Sequence, residues 1–246
     1  MKDDNKTKQI VKKHYSKIAG SGSCCSCGRQ MDNKQIARSI GYSDEEIKLA
    51  GEANLGLGCG NPIGLGEIKE GEVVLDLGSG AGFDCFLAAK KVGQSGKVIG
   101  VDMTEEMVER ARNNAKKQGI TNAEFLLGEI EKLPLKDNSV DTIITNCVIN
   151  LTPDKAKTFS EAYRVLKPGG KIYLSDIVLL AELSEEQRND IDLLSGCVAG
   201  ALLKEDYLDK IRGAGFKVRI LYENTKISKE QYNGIALESL MVELTK

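Results

Sequence analysis

Thiols dominate the chemistry this 246-residue chain can offer: it has seven cysteines, one histidine and no tryptophan. Thiolates are soft ligands that bind soft, thiophilic centres. Three cysteines crowd into Cys24-Cys25-Ser26-Cys27. That composition suits a soft metal, but no second C-x-x-C or histidine pair follows at a zinc-finger distance. An idle surface loop accounts for the same residues equally well. Cys59 sits in Gly56-Leu57-Gly58-Cys59-Gly60-Asn61-Pro62, where the glycines leave little to pack against it, which favours a chemical role. Cys147 follows an apolar run, Val140 to Thr145, and Cys197 centres the small-residue stretch Ser195 to Gly200. Cys85, flanked by Phe83, Phe86 and Leu87, reads as core. His14 lies near a polar N-terminus and reads as a surface or packing residue, so a histidine base is not expected.

The stretch that must position this chemistry is Val73 to Leu87. Its first half is a short apolar, β-branched run, the pattern of a buried parallel strand. Its second half has helical composition. Between them Gly78, Gly80 and Gly82 form G-x-G-x-G, which permits a tight turn and close approach of a ligand to backbone. Dinucleotide-binding turns read G-x-G-x-x-G and hold a pyrophosphate. Here the third glycine comes early and Asp76 stands just before the loop, where an acid suits a cation better than an anion. The pattern resembles motif I of class I S-adenosylmethionine methyltransferases. Lys97 to Val101 is a second β run ending in Asp102, placed to hold a ribose diol, with Met103 following to pack on an adenine. Phe125 to Pro134 resembles the segment that closes over the adenine, with Glu129 at the acid position. Tyr163 to Lys171 resembles the helix end, turn and strand start of the same family. The resemblance implies S-adenosylmethionine as cofactor, held by Asp76, Gly78, Gly80, Gly82, Asp102, Met103, Glu129, Ile130 and Asn146.

The fold expected is α/β: a doubly wound, Rossmann-like sheet, mostly parallel with an antiparallel last strand. An N-terminal helical segment and a helical insertion after the fifth strand complete it. Three parts are expected: a helical, cysteine-rich segment 1–70, a cofactor-binding part 71–180, and a part 181–246 that completes the sheet and contributes to the thiol site. A basic amphipathic helix covers about Asn5 to Ala19. Ser43 and Glu46 form a capping box for a helix ending near Gly51. Further helices are expected from Ala81 to Val92, Thr104 to Gln118 with Thr104 as N-cap, and Pro153 to Leu166. Beyond them come an inserted helical stretch from Leu183 to Leu203 and a helix from Lys204 to Gly213. Later strands are expected over Lys171–Asp176, Lys217–Leu221 and the alternating Ile235–Leu244. In open parallel sheets the ligand lies beyond the carboxyl ends of the strands, which puts Cys147 beside the cofactor.

A net charge of −2 gives no reason to expect nucleic acid or an anionic membrane as partner. No apolar run is long enough to span a bilayer, and the start lacks a secretory apolar core. A cytoplasmic monomer with reduced thiols is the expectation.

Oxygen, nitrogen and carbon nucleophiles ordinarily need a base to meet an electrophilic methyl. The sequence offers thiols there instead. Arsenic(III) held by three thiolates keeps a lone pair and has no proton to lose, so such a site would work by positioning. At this level the chain resembles the microbial arsenite methyltransferases. The carrying motifs are Gly56 to Pro62, Leu75 to Phe86, Val101 to Thr104, Asn146 to Leu151 and Gly196 to Gly200. The resemblance implies that Cys59, Cys147 and Cys197 bind As(III), free or as thiol conjugates, and that a thioredoxin- or glutathione-type reductant serves as co-substrate. Cys24, Cys25 and Cys27 stand where the family carries N-terminal cysteines and are candidates for capture of arsenic. Two alternatives stay open: a C- or O-methyltransferase of the quinone-biosynthesis type, and a non-enzymatic metalloid-binding protein on the same fold.

Overall fold

The computed structural model describes residues 4–21, 32–227, 232 and 234–246; Cys24, Cys25 and Cys27 lie outside the described residues. Helix α1 (Asp4–Ser21) opens the chain. Two short helices follow, α2 (Asn33–Ser39) and α3 (Asp44–Ala50), each started by a capping box. In α3 the Ser43 hydroxyl accepts from the Glu46 N–H, and the Glu46 carboxylate accepts from the Ser43 N–H, as expected. Gly51, at φ 55°, ends it. A single turn, α4 (Pro62–Leu65), is capped by Asn61.

The sheet is built from β1 (Val73–Leu77), β2 (Lys97–Asp102), β3 (Ala123–Leu127), β4 (Val140–Asn146), β5 (Leu166–Leu179), β6 (Lys217–Asn224) and β7 (Leu237–Thr245). Its order is β3-β2-β1-β4-β5-β7-β6. Pairing is parallel as far as β5, while β7 runs antiparallel between β5 and β6. Alternate residues feed two cores. Val74, Val98 and Ile144 pack with α5 (Phe83–Val92) and α6 (Glu105–Gln118). Leu75, Leu77, Ile99, Val101 and Ile143 pack with α7 (Lys155–Val165) and α10 (Lys204–Gly213). A third apolar cluster sits around the cysteines and includes Val11 of α1 with Leu151, Ile177 and Leu237.

Several boundaries differ from expectation for local reasons. The helix after the glycine loop starts at Phe83, because Gly82 adopts the left-handed conformation. Thr104 occupies the N-cap position of α6, but its side chain makes no cap bond; its N–H donates to Asp102 instead. Asp154, not Pro153, starts α7, accepting from the Lys157 N–H. The inserted helical stretch is broken into α8 (Glu185–Asn189) and α9 (Ile191–Ser195), because Asp190 caps the second. Strand β5 runs past Asp176 to Leu179, since Ile177 to Leu179 keep pairing with β7. Strand β6 likewise extends to Asn224 along β7. The alternation read in β7 does not expose one face: Glu238 and Glu243 are buried and matched by Lys204, Lys171 and Arg219.

Tyr42, just before the α3 cap, donates its buried hydroxyl to Asp84 Oδ1 at 2.7 Å. Ser43→Ala removes the side-chain acceptor, and the expected cost is about 1 kcal/mol, read as a lower urea midpoint at unchanged slope.

Candidate functional site

The glycine loop is shaped by contacts that exclude side chains. Gly78 has φ 72°, and a Cβ there would lie 2.5 Å from the Val148 methyls. The N–H groups of Gly78 and Ser79 both donate to the Val101 carbonyl. Asp102 then ties the loop to β2: Oδ2 accepts from the Gly80 N–H at 3.0 Å and Oδ1 from the Thr104 N–H at 2.8 Å. Gly82 caps α5, and a Cβ there would strike Phe86 and Phe125. Gly80 differs, since its added Cβ would meet nothing within 4 Å, so its backbone faces open space.

Three carboxylates crowd this loop, Asp76 and Asp84 buried and Asp102 half-buried. Burial, with help from Asp84, pushes the Asp76 carboxyl well above the usual range. Asp76 accepts from the Cys85 thiol at 3.1 Å, so Cys85 is core, as read, and also holds this acid. Burial lifts Asp84 to about 6, although hydrogen bonds from Tyr42 and Asn146 pull the other way. Asp102 is raised by burial as well. Buried carboxylates without a cation favour protonation, and a cationic ligand would reverse that. The chemistry of this donor set therefore fits an ammonium and a sulfonium.

A cavity of about 620 Å³ opens beside the loop. Such a volume suits a small-molecule cofactor with its substrate. Of the residues expected at the cofactor, Gly78, Gly80, Asp102 and Met103 line it, as do Glu129, Ile130 and Asn146. Asp76 and Gly82 lie behind this wall. Glu129 is turned toward α1, where Lys8 bridges it at 2.7 Å and the buried Glu131 at 3.1 Å. Helix α1 thus borders the cavity, bringing His14 and Tyr15 to it, and the Tyr15 hydroxyl donates to the Ser195 carbonyl. His14 is not merely peripheral: burial lowers its pKa, keeping the imidazole neutral at pH 7.

The three cysteines read as a set come together. Cys59, Cys147 and Cys197 are free thiols and all buried. Cys59 and Cys147 sulfurs and an Asp176 oxygen lie within 4.8 Å of one another. The Cys197 thiol donates to the Cys147 carbonyl at 2.7 Å. Cys147 and Cys197 line the cavity; Cys59 packs just behind it against Val11, Ile177 and Leu237, well surrounded despite its glycine neighbours. Hydrogen bonding to Cys197 and then to Cys59, with burial, pushes the Cys147 thiol up. For Cys197 the Cys147 hydrogen bond pulls down, but burial and nearby Asp176 prevail, so it too is raised. Both are protonated at neutral pH. Cys147 and Cys197 also adopt φ 60° and 66°; among the described residues only Asn138 shares this left-handed conformation outside glycine. Each such residue costs of order 1 kcal/mol and persists only where surroundings impose it.

Beneath the thiols lies a polar cluster that the sequence reading missed. Asp176 is fully buried and accepts from Tyr207 Oη, the Asn150 N–H and amide, and its own neighbour's N–H. Burial raises it to about 7. Lys155, also buried, is lowered to about 8 and donates to the Thr152 carbonyl. Tyr42 and Asp84 were likewise unassigned. An acid at a strand's carboxyl end (Asp176) and one in the first turn after the glycine loop (Asp84) were the available signals.

Residues 68–224 match the family model described as a methyltransferase domain. The chain is 44% identical over 232 residues to the arsenite methyltransferase of Halobacterium salinarum, covering 88% of this chain and 59% of that protein. It is 42% identical over 192 residues to the human arsenite methyltransferase, covering 74% of this chain and 49% of that protein. A crystal structure of the arsenic(III) S-adenosylmethionine methyltransferase CrArsM from Chlamydomonas reinhardtii superposes with a TM-score of 0.68 at 37% identity, covering 86% of this chain and 73% of that one. Fold and glycine loop thus define a class I methyltransferase domain. Within that class, the chain belongs to the arsenite methyltransferase family. It spans about half to three fifths of the length of the curated relatives it matches.

Asp84 supplies a pH signature. Its raised pKa means that the folded chain keeps a proton which the unfolded chain, near 3.8, has released. That stabilisation is complete below about pH 4 and lost as pH rises through about 6. The difference in unfolding free energy between wild type and Asp84→Asn should fall by up to about 3 kcal/mol from pH 4 to pH 7, measured by urea titration.

Proposed function

We propose that this protein transfers methyl groups from S-adenosylmethionine to arsenic(III) bound by Cys59, Cys147 and Cys197. The observation that carries the reading is the convergence of three buried thiols beside a cavity edged by the glycine loop. Arsenous acid and three thiols exchange three hydroxides for three As–S bonds and release three waters, so the raised thiols of Cys147 and Cys197 suit the step and no external base is required. Bound S-adenosylmethionine supplies an electrophilic methyl on a sulfonium sulfur. Asp76 and Asp84 set the negative field for that cation, Asp102 takes the ribose, and Met103 and Ile130 flank the adenine. Glu129 would take the adenine amine with Oε1, the oxygen that Lys8 does not hold.

The protein's remaining work is to orient the arsenic lone pair and to keep water out. The apolar cluster around the cysteines, from Val11 to Leu237, supports the second task. A thiol reductant of the thioredoxin or glutathione type would serve as co-substrate. No helix among the described residues is long and apolar enough to cross a membrane; we infer a cytoplasmic monomer acting on As(III) or its thiol conjugates. One observation favours a second reading. A neutral His14 at the cavity wall offers the base that a C- or O-methyltransferase would use.

The deciding assay is arsenite methylation by purified protein with S-adenosylmethionine and a thiol reductant. Cys59→Ser, Cys147→Ser and Cys197→Ser should each lose methylated arsenic while S-adenosylmethionine still binds. Loss on His14→Ala, with the cysteine variants active on a carbon or oxygen acceptor, would favour the second reading. Asp102→Asn should raise the Kd for S-adenosylmethionine about tenfold by calorimetry, because it removes a charged acceptor.

A further inference from the structure

Asn146 ends β4 immediately before Cys147, and its carboxamide reaches across to the other cysteine loop. Oδ1 accepts from the Cys59 N–H at 3.0 Å. Nδ2 donates to the Gly60 carbonyl at 2.8 Å. The two contacts bracket the peptide that follows Cys59, as a paired amide would. Reversing the amide would set donor against donor at Cys59 and acceptor against acceptor at Gly60, so only one orientation satisfies both. Nδ2 also approaches the Tyr42 hydroxyl at 2.9 Å and Asp84 Oδ2 at 3.3 Å. The loop rests directly on this side chain. Gly58 has φ 101°, and a Cβ there would lie 2.8 Å from Asn146 Nδ2.

Other contacts at Cys59 hold less. Ser239 Oγ donates to the Cys59 carbonyl at 2.6 Å, and Ser175 Oγ lies 3.5 Å from its sulfur, but both come from the neighbouring strands β5 and β7. Asn146 alone is joined covalently to Cys147 while gripping Cys59 on both sides. The residue reaches the cavity wall, yet its carboxamide bonds inward, to the thiol loop and to Tyr42 and Asp84.

We propose that Asn146 is a positioning residue of the thiol site, a clamp that sets Cys59 at the distance from Cys147 which three-coordinate arsenic requires. This inference rests on the arsenic reading above. It assigns the Asn146 side chain to substrate geometry and not to cofactor binding.

The test is X-ray absorption at the arsenic edge on protein loaded with one equivalent of arsenite. Affinity is read by equilibrium dialysis, S-adenosylmethionine binding by calorimetry and folding by circular dichroism. Wild type should show three As–S bonds. Asn146→Ala should show two As–S bonds and one As–O bond, with arsenite affinity down about tenfold or more and a clearly smaller change in S-adenosylmethionine affinity. Asn146→Asp keeps the acceptor for Cys59 but turns an oxygen toward the Gly60 carbonyl, and Gly58→Ala displaces the amide from the other side; both should lose the third sulfur. These two carry the test should the alanine variant not fold. Three As–S bonds at wild-type affinity in any folded variant would overturn the clamp. So would a loss confined to S-adenosylmethionine binding, which would return Asn146 to the cofactor wall. A wild type lacking three As–S bonds overturns the arsenic reading itself, and the clamp with it.

Discussion

The registers of three neighbouring strands fix everything at the site. Strand β4 pairs in parallel with β1 on one side and β5 on the other, Thr145 standing opposite both Leu77 and Leu174, and Asn146 opposite Ser175. The glycine loop, the Cys147 turn and the Ser175–Asp176 pair therefore leave the sheet at one level. A slip of one residue would exchange the faces of every side chain involved. The Cys147 N–H, donating to the Ser175 carbonyl, continues the ladder one step past the end of β4. From there the chain must turn with positive φ, and the cavity begins.

Around that level the molecule keeps two electrostatic regimes apart. On the glycine-loop side the groups are acids, Asp76 and Asp84 buried and Asp102 half-buried, and a cation would favour their ionised forms. On the thiol side Cys147 and Cys197, both with raised thiols, lie above a hydrogen-bonded carboxyl and a buried lysine. Asn146 and Tyr42 lie at the boundary and hydrogen-bond in both directions. Under the proposed function this division lets a soft, thiol-bound substrate and a cationic cofactor share one cavity.

Much of this was legible in the chain. Short β-branched runs ending in Asp76, Asp102 and Asn146 gave strands, sheet direction and the side on which ligands gather. Capping residues gave α3 to the residue. Cysteines at loop positions after strands singled out the set the fold brings together. What was not legible depends on long-range partners. The extension of β5 needs β7, some sixty residues later. The burial of Cys59 comes from Val11, Ile177 and Leu237, none of them near it in sequence. Thr104 looked like a cap by type, but Asp102, two residues earlier, takes its N–H and binds the glycine loop with its other oxygen. His14 reads as peripheral until α1 is seen lying along the cavity. Asp84 and Asp176 carry only their places at a helix start and a strand end, and their burial comes from partners distant in sequence, Tyr42 and Tyr207.

The buried acids also change what the molecule is to its surroundings. A formal charge of −2 counts every carboxyl as ionised. In the folded chain Asp76, Asp84, Asp102 and Asp176 hold their protons to higher pH than free carboxyls do, while the acids shifted the other way are already ionised near the isoelectric point. The native isoelectric point therefore lies above the value summed from the sequence. In isoelectric focusing the native band should run more basic than the band in urea. Filling the cofactor pocket with a cation would favour proton release from Asp76, Asp84 and Asp102, offsetting the charge the ligand brings.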